Sequence, residues 1–307
     1  MNHYKLIIIG SGPAGLTAAI YAARASLKPL VIAGLTFGGQ LMLTTEVENF
    51  PGFKKGILGP DLMQSMVEQA QRFGSEIIFE DATKVDFSKK PFFVAVGDKI
   101  YTSDSVIIAT GASSIWLGLP SEEKFRGKGV SSCATCDGFF FKEKEIIVVG
   151  GGDAAMEEAL YLTKFAKTVT VINRSDKLRA SAIMQDRARA NPKITIEYNK
   201  TVEEFLGTDH LTGVKIKDMV TNQTMDRQID GAFVAIGHKP NTEIFSGQLE
   251  LDAKGYVVPQ DQTKTNLDGV FVAGDVRDYR YRQAITAAGM GCMAAMDAEK
   301  YMGHNQG

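Results

Sequence analysis

Two stretches of this chain share one pattern of apolar and polar positions. The first runs from the apolar block Leu6-Ile7-Ile8-Ile9 through glycines into an alanine-rich, proline-free run from Leu16 to Ala23, then to a second block, Leu30-Val31-Ile32. Short continuous apolar blocks bounded by turn residues predict strands of a parallel sheet covered on both faces, and the alanine-rich run predicts a helix. The expected order is strand (5–9), glycine turn, helix (16–25), strand (29–32). From Glu145 the order returns: strand (146–149), glycine turn, helix (154–165), strand (169–172). Each copy later reaches an apolar strand ending in glycine, at 106–111 and at 233–237. The repeat is an internal duplication, with a period far too long for a solenoid.

The two turns give the duplicated unit its chemistry. In Gly10-Ser11-Gly12-Pro13-Ala14-Gly15, the first glycine permits a tight turn and the second lets backbone approach a pyrophosphate. The third lets helix and strand pack closely, and the helix start offers unpaired N–H groups to the anion. The acidic residue expected ~20 positions on, to hold a ribose hydroxyl, is replaced by Ala33 and Gly34. The second turn, Gly150-Gly151-Gly152-Asp153-Ala154-Ala155, has alanine at the third position, which the fingerprint allows. At its strand end stand Asn173 and Arg174, with Arg179 beyond. Arginines there suit a 2′-phosphate, as in NADP; the alternative is a pair of solvated arginines.

The expected fold is therefore α/β, with two dinucleotide-binding (Rossmann-like) domains. A third glycine-ended strand at 270–275 lacks a strand–turn–helix start, so it is assigned to the first domain with the second inserted. The crossings, near 113–120 and 239–245, carry proline and glycine in or beside them, as hinges or linkers do. The segment 283–302 reads as a helix rich in small residues.

Composition narrows the classes. A chain of 307 residues suits about two domains, and a formal charge of −2 offers no basic surface to nucleic acid and no polybasic membrane anchor. No apolar run approaches the ~20 residues of a membrane span. Three cysteines are too few for a secreted disulfide scaffold and fit a redox pair in a reducing, cytoplasmic compartment.

That pair is Cys133 and Cys136, just upstream of the second turn. Cys-x-x-Cys is the spacing of a redox disulfide, one of whose thiolates can have a lowered pKa. A structural zinc site needs four ligands, and His3, His210, His238 and His304 are scattered, so no metal is expected. Asp137 has two readings: an acid whose pKa rises by desolvation, or the aspartate of an Asp-Gly turn. Phe139-Phe140-Phe141 reads equally as core or as a partner-docking patch. Asp275, ending a strand, could bond cofactor hydroxyls, with Arg282, Gln283 and Ala284 near the start of the last helix, whose dipole would favour negative charge on a reduced flavin. Cys292 reads as a small buried filler.

With these residues in place, the chain resembles the low-molecular-weight, bacterial-type thioredoxin reductases over essentially its full length. The matching strings are GSGPAG (10–15), GGQL (38–41), TEVENFPG (45–52), ATG (109–111), CATCDGFF (133–140), GGGDAA (150–155), AIGHKPN (235–241) and AGDV…YRQAITAAG (273–289). The resemblance implies an FAD-binding domain in two parts, 1–113 and 242–307, around an NADPH-binding domain, 114–241, that carries the dithiol. It implies a homodimer with thioredoxin as substrate, and domain rotation about the crossings. It assigns Gln40, Asn49, Asp275, Arg282, Gln283 and Ala284 to FAD, and its strings add Gly39, Leu41, Thr110, Gly111 and Gly274; Gly237 falls in the NADPH domain's string. Cys136 would face the flavin, Cys133 would exchange with thioredoxin, and Asp137 would be the acid. Lys128 and Phe139-Phe140 fall where this family contacts thioredoxin.

One position departs from the family. Two adjacent arginines usually follow the second strand of the NADPH domain, whereas here the run is Asn173-Arg174-Ser175. Losing one charged partner of a phosphate costs roughly 1.5–3 kcal/mol, about 10- to 100-fold in affinity. With Ser175 able to donate one hydrogen bond, the expectation is a preference for NADPH by a narrower margin than usual. The rival readings are a flavin dithiol oxidase, an NADH-driven reductase of peroxide-detoxifying partners, and a flavin-binding redox sensor.

Overall fold

The apolar blocks at 6–9, 30–32 and 106–108 become neighbouring parallel strands because both faces of each must be buried. In the computed structural model, which describes residues 2–44 and 46–304, Asn2–Ile9 pairs in parallel with Leu30–Ile32 on one side and Lys99–Ile108 on the other. Thr45, at the head of the string 45–52, lies outside the described residues, as do Met1, residues 305–307 and the side chains of Leu43 and His304. The chain divides into two compact units, Met1–Ser113 with Lys239–Gly307, and Ser114–His238.

In the first unit, Glu76–Ile78 extends the sheet beyond Leu30–Ile32, and Val270–Val272 lies parallel to the end of Lys99–Ile108. The third glycine-ended strand thus belongs to the first sheet. Alternate residues face opposite sides. Leu6, Ile8, Val31, Ile107 and Phe271 meet the helices Pro13–Arg24 and Ala284–His304 through Ala18, Ala19, Ala22, Ala294, Ala295 and Ala298. Ile7, Ile9, Leu30, Ile32, Val106 and Val270 meet Phe245, Leu249 and Val257 of the returning chain. Small residues let the two helices approach: a Cβ on Gly291 would lie 2.0 Å from the Ala14 carbonyl oxygen.

The second unit repeats the plan. Its main sheet has five strands, all parallel, in the order Val130–Ser131, Gly231–Val234, Glu145–Val149, Thr168–Ile172, Ile194–Glu197. Ile146, Val148, Val169 and Val171 pack on helix Asp153–Leu162 through Ala155, Met156, Ala159 and Leu162. Ile147, Val149, Ile172 and Val234 pack on Val202, Phe205, Val214 and Ile216 of an antiparallel sheet, Lys200–Gly207, Leu211–Asp218 and Thr224–Gln228. A β-meander thus covers the face that the helix Asp153–Leu162 does not. Two further strands, Phe92–Val96 and Ala82–Asp86, extend the first sheet antiparallel from Lys99–Ile108 to its edge.

Among the described residues, no helix is long and apolar enough to cross a membrane.

Candidate active site

Both glycine turns sit where a parallel strand ends and a helix begins, the location that favours anion binding in open α/β sheets. Gly10 and Gly150 hold φ of +112° and +151°, a region side chains disfavour, and a Cβ on either would strike the Ala109 or Ala235 carbonyl at 2.2 or 2.4 Å. Gly12 and Gly152 begin the two helices without a side-chain cap, and a Cβ on either would meet nothing within 4 Å. Each turn therefore presents open space in front of uncapped helical N–H groups, which is what a pyrophosphate requires.

In the first unit, several other segments close on the turn. The Ser11 hydroxyl donates to the Ala33 carbonyl (2.7 Å) and accepts from the Gly38 N–H (3.0 Å). Gly39 then lies against Gly12, placing Gln40 and Leu41 beside the turn on the 3-10 helix Gly39–Leu43. Gly274 abuts the Ala14 side chain. Thr110 and Gly111 are held by Asn241: its side chain donates to the Thr110 carbonyl (2.8 Å) and its N–H to the Gly111 carbonyl (3.0 Å). Asn49 donates to the Gln283 side-chain carbonyl (3.3 Å) next to the start of helix Ala284–His304. The fold thus gathers Gly10 to Gly15, Gly39, Gln40, Leu41, Thr110, Gly111 and Gly274 around the turn, with Asn49 and Gln283 paired near the last helix.

Two features of that region carry a cost, one electrostatic and one conformational. Burial, with Asp278 adding to it and Arg282 opposing, pushes the Asp275 carboxyl up to about 6. Arg282 itself sits at φ +48°, a left-handed conformation that costs a non-glycine residue on the order of 1 kcal/mol.

In the second unit the turn is bordered by a loop rich in cations. Arg179 and Ala180 donate their N–H groups to the Gly151 carbonyl (2.7 and 3.0 Å). Buried Asn173 donates to the carbonyls of Ser175 (2.8 Å) and Lys177 (3.0 Å). Asp153 accepts from the Ser181 N–H and hydroxyl. Arg174, Lys177 and Arg179 are exposed, and their side chains form no ion pair or hydrogen bond among the described residues. Gly237 lies three residues beyond Gly231–Val234, the strand beside the one that feeds the turn. Two points differ from the sequence reading. Ser175 spends its single hydroxyl proton on the Lys177 carbonyl (3.1 Å), so it is not a free donor; and Lys177, overlooked because it lies outside the strand-end position, adds a third cation.

Cys133 and Cys136 are joined as a disulfide across the short helix Ala134–Asp137. Buried Ser131, two residues before the pair, accepts from the Cys133 N–H (3.1 Å) and donates to Asp137 Oδ2 (2.5 Å). Burial raises the Asp137 pKa and the Ser131 hydrogen bond opposes it. The Asp137 side chain is thus directed to Ser131 and does not fix the Asp-Gly turn. Sequence reasoning missed Ser131, whose only signal is its place two residues ahead of the dithiol.

The three phenylalanines divide. Phe141 is core, edge-on to Phe233, whereas Phe139 and Phe140 are 56 % and 38 % exposed; Lys128 is exposed too. Cys292 is not the buried filler expected: it is half-buried, and its thiol donates to Met296 Sδ (3.9 Å). Among the described residues, no group of three or more His, Cys, Asp or Glu is placed to hold a metal.

The sequence matches the pyridine nucleotide-disulphide oxidoreductase family over residues 4–291. It is 55 % identical to a thioredoxin reductase of Mycolicibacterium smegmatis, covering 97 % of this chain and 96 % of the relative. A thioredoxin reductase of Streptomyces clavuligerus is 56 % identical, over 97 % and 94 %. The solved thioredoxin reductase of Giardia duodenalis superposes with a TM-score of 0.94 at 43 % identity, covering 99 % of this chain and all of that one.

Proposed function

Because the chain belongs to the pyridine nucleotide-disulphide oxidoreductase family, as one of its thioredoxin reductases, we propose that it carries electrons from NADPH through FAD and the Cys133–Cys136 disulfide to oxidised thioredoxin. The observation that carries this reading is the redox centre itself. A formed disulfide, with a half-buried carboxyl tied to it through Ser131, lies in the unit that holds the cation-bordered glycine turn.

FAD would be held by the first unit. The N–H groups behind Gly12 would take its pyrophosphate, and Asp275 its sugar hydroxyls. Gly10, Ser11, Pro13, Ala14, Gly15, Gly39, Gln40, Leu41, Asn49, Thr110, Gly111, Gly274, Arg282, Gln283 and Ala284 would shape the rest. When bound, the flavin supplies two-electron transfer between a pyridine nucleotide and a disulfide. Gly151, Gly152, Asp153, Ala154 and Gly237 would line the NADPH site, with Arg174 and Arg179 on the 2′-phosphate. Lys177 restores the charge absent at Ser175, so the preference for NADPH is wider than the substitution alone implies.

The residues of the dithiol then do ordinary exchange chemistry. The Cys133 thiolate attacks one sulfur of the thioredoxin disulfide, whose other sulfur leaves as thiolate and takes a proton. The Cys136 thiolate attacks Cys133 in the mixed disulfide, re-forming the Cys133–Cys136 bond and releasing reduced thioredoxin. Asp137 is the acid that supplies a proton to sulfur; its raised pKa keeps that proton available nearer neutrality. Exposed Phe139, Phe140 and Lys128 are the surface for the partner. A homodimer would cover the exposed Tyr21, Met293 and Met296 around Cys292. A redox pair with a single further cysteine suits the cytoplasm, and nothing in the charge balance suits nucleic acid.

Steady-state reduction of a thioredoxin with NADPH and NADH side by side tests the reading. NADPH should be the far better donor, and an enzyme that uses both equally, or reduces no thioredoxin, refutes it.

A further inference from the structure

Ser131 has one hydroxyl proton to donate and two lone pairs to accept with, and it stands between two partners. The Cys133 N–H points at Ser131 Oγ (3.1 Å), so the oxygen serves there as acceptor. The hydroxyl proton is left for Asp137 Oδ2, 2.5 Å away. An oxygen that accepts a hydrogen bond is the poorer place for the carboxyl's own proton. The bond to Ser131 is made through Oδ2 and not through Oδ1.

We infer that Ser131 is a positioning residue of the redox centre: it assigns the transferable proton of Asp137 to Oδ1 and couples the charge of that carboxyl to the backbone amide of Cys133. The inference rests on the role of Asp137 as the acid given above.

The coupling has a chemical purpose in the reductive half of the reaction. Two-electron reduction of the Cys133–Cys136 bond, for which a bound flavin would supply the electrons, would leave two sulfur anions. The proton on Asp137 Oδ1 neutralises one of them, so the products are one thiol, one thiolate and the Asp137 carboxylate. The Ser131 hydroxyl, aimed at Oδ2, stabilises the carboxylate that this transfer creates, as a charge-assisted hydrogen bond does. The amide of Cys133 polarises the same hydroxyl from its other side. Helix Asp153–Leu162 is packed against the short helix of Asp137, and it carries Asp153, Glu157, Glu158 and Tyr161. The causes of the raised Asp137 pKa are burial, which raises it, and the Ser131 hydrogen bond, which lowers it.

The test uses the flavin-loaded enzyme. Ser131→Ala should raise the Asp137 pKa further, by about one to two pH units, seen as the same displacement in the pH profile of disulfide reduction and in direct titration of the carboxyl by infrared difference spectroscopy. Ser131→Thr keeps the hydroxyl and should restore the wild-type profile, while Ser131→Val, of the same shape, should behave like alanine. A merely structural serine would give Thr and Val the same profile, and that result overturns the inference. In the unmutated protein, the Cys133 amide resonance should titrate with the Asp137 carboxyl; an amide indifferent to that titration overturns it even should the variants fail to fold. Asp137→Asn separates the two claims. If it leaves turnover intact, the acid role of Asp137 falls. If it impairs turnover while the Ser131 variants match wild type, only the present inference falls.

Discussion

The two glycine turns have nearly the same local sequence but different surroundings. The first is enclosed by its own unit: Gly38 and Gly39, the Ala109 to Gly111 strand end, and Gly274 all abut it. The second is bordered by the end of the adjoining strand at Ala235 and by the exposed loop carrying Arg174, Lys177 and Arg179. The third glycine position records the contrast. A Cβ on Gly15 would lie 2.0 Å from the Gly10 carbonyl, whereas the same place in the second turn already holds buried Ala155. On the proposed function, the enclosed turn would keep its group through many turnovers and the open one would exchange it each time.

Substitution at that third position should break the comparison most strongly. Gly15→Ala should destabilise the first unit by 1–3 kcal/mol or somewhat more, about the cost of overpacking, and the purified protein should lose its flavin absorbance. Ala155→Gly should cost about 1 kcal/mol at most and leave the flavin in place. Equal losses in thermal unfolding would show that the two turns are built alike.

Asp275 gives the next effect, with a definite sign. Its carboxyl titrates at about 6 in the fold against ~3.9 unfolded, so the folded state holds its proton over the interval between. Flavin-free protein should thus have this group's contribution intact below about pH 4 and lose it as pH rises through 6, by up to about 3 kcal/mol. Asp275→Asn should flatten that dependence in denaturant titrations while lowering flavin content. An unchanged pH dependence would contradict the burial assigned to Asp275.

The second turn should respond to its cations without disturbing the first. Lys177→Ala and Arg174→Ala should each weaken NADP⁺ binding by about 10- to 100-fold in calorimetry, with flavin content unchanged. If Lys177→Ala binds as wild type does, the loop's charge has been misassigned.

Much of this was legible in the sequence because it depends on near neighbours. Both strand–turn–helix units can be read from Leu6 to Ile32 and from Ile146 to Ile172, since apolar blocks and glycine spacing are local. The strand at 270–272 could be placed in the first sheet because it lacked a unit of its own. The antiparallel strands at 82–96 and 200–228 gave no comparable signal: the last of them, Thr224–Gln228, is mostly exposed, so little apolar alternation marks it. Ser131 was illegible because its meaning depends on a four-residue helix that returns Asp137 to it. Cys292 was misread because its glycine and alanine neighbours suggested burial, while the helix turns Met293 and Met296 outward beside it. Ser175 looked like a free donor until the loop brought the Lys177 carbonyl within reach of its hydroxyl.

Anaerobic titration of the flavin-loaded enzyme with NADPH tests the central claim, that the Cys133–Cys136 bond lies on the electron path, most directly. The wild type should take up one electron pair more than Cys136→Ser, which should keep its flavin yet reduce no thioredoxin. Equal uptake by the two proteins, or thioredoxin reduction by the variant, would contradict the account.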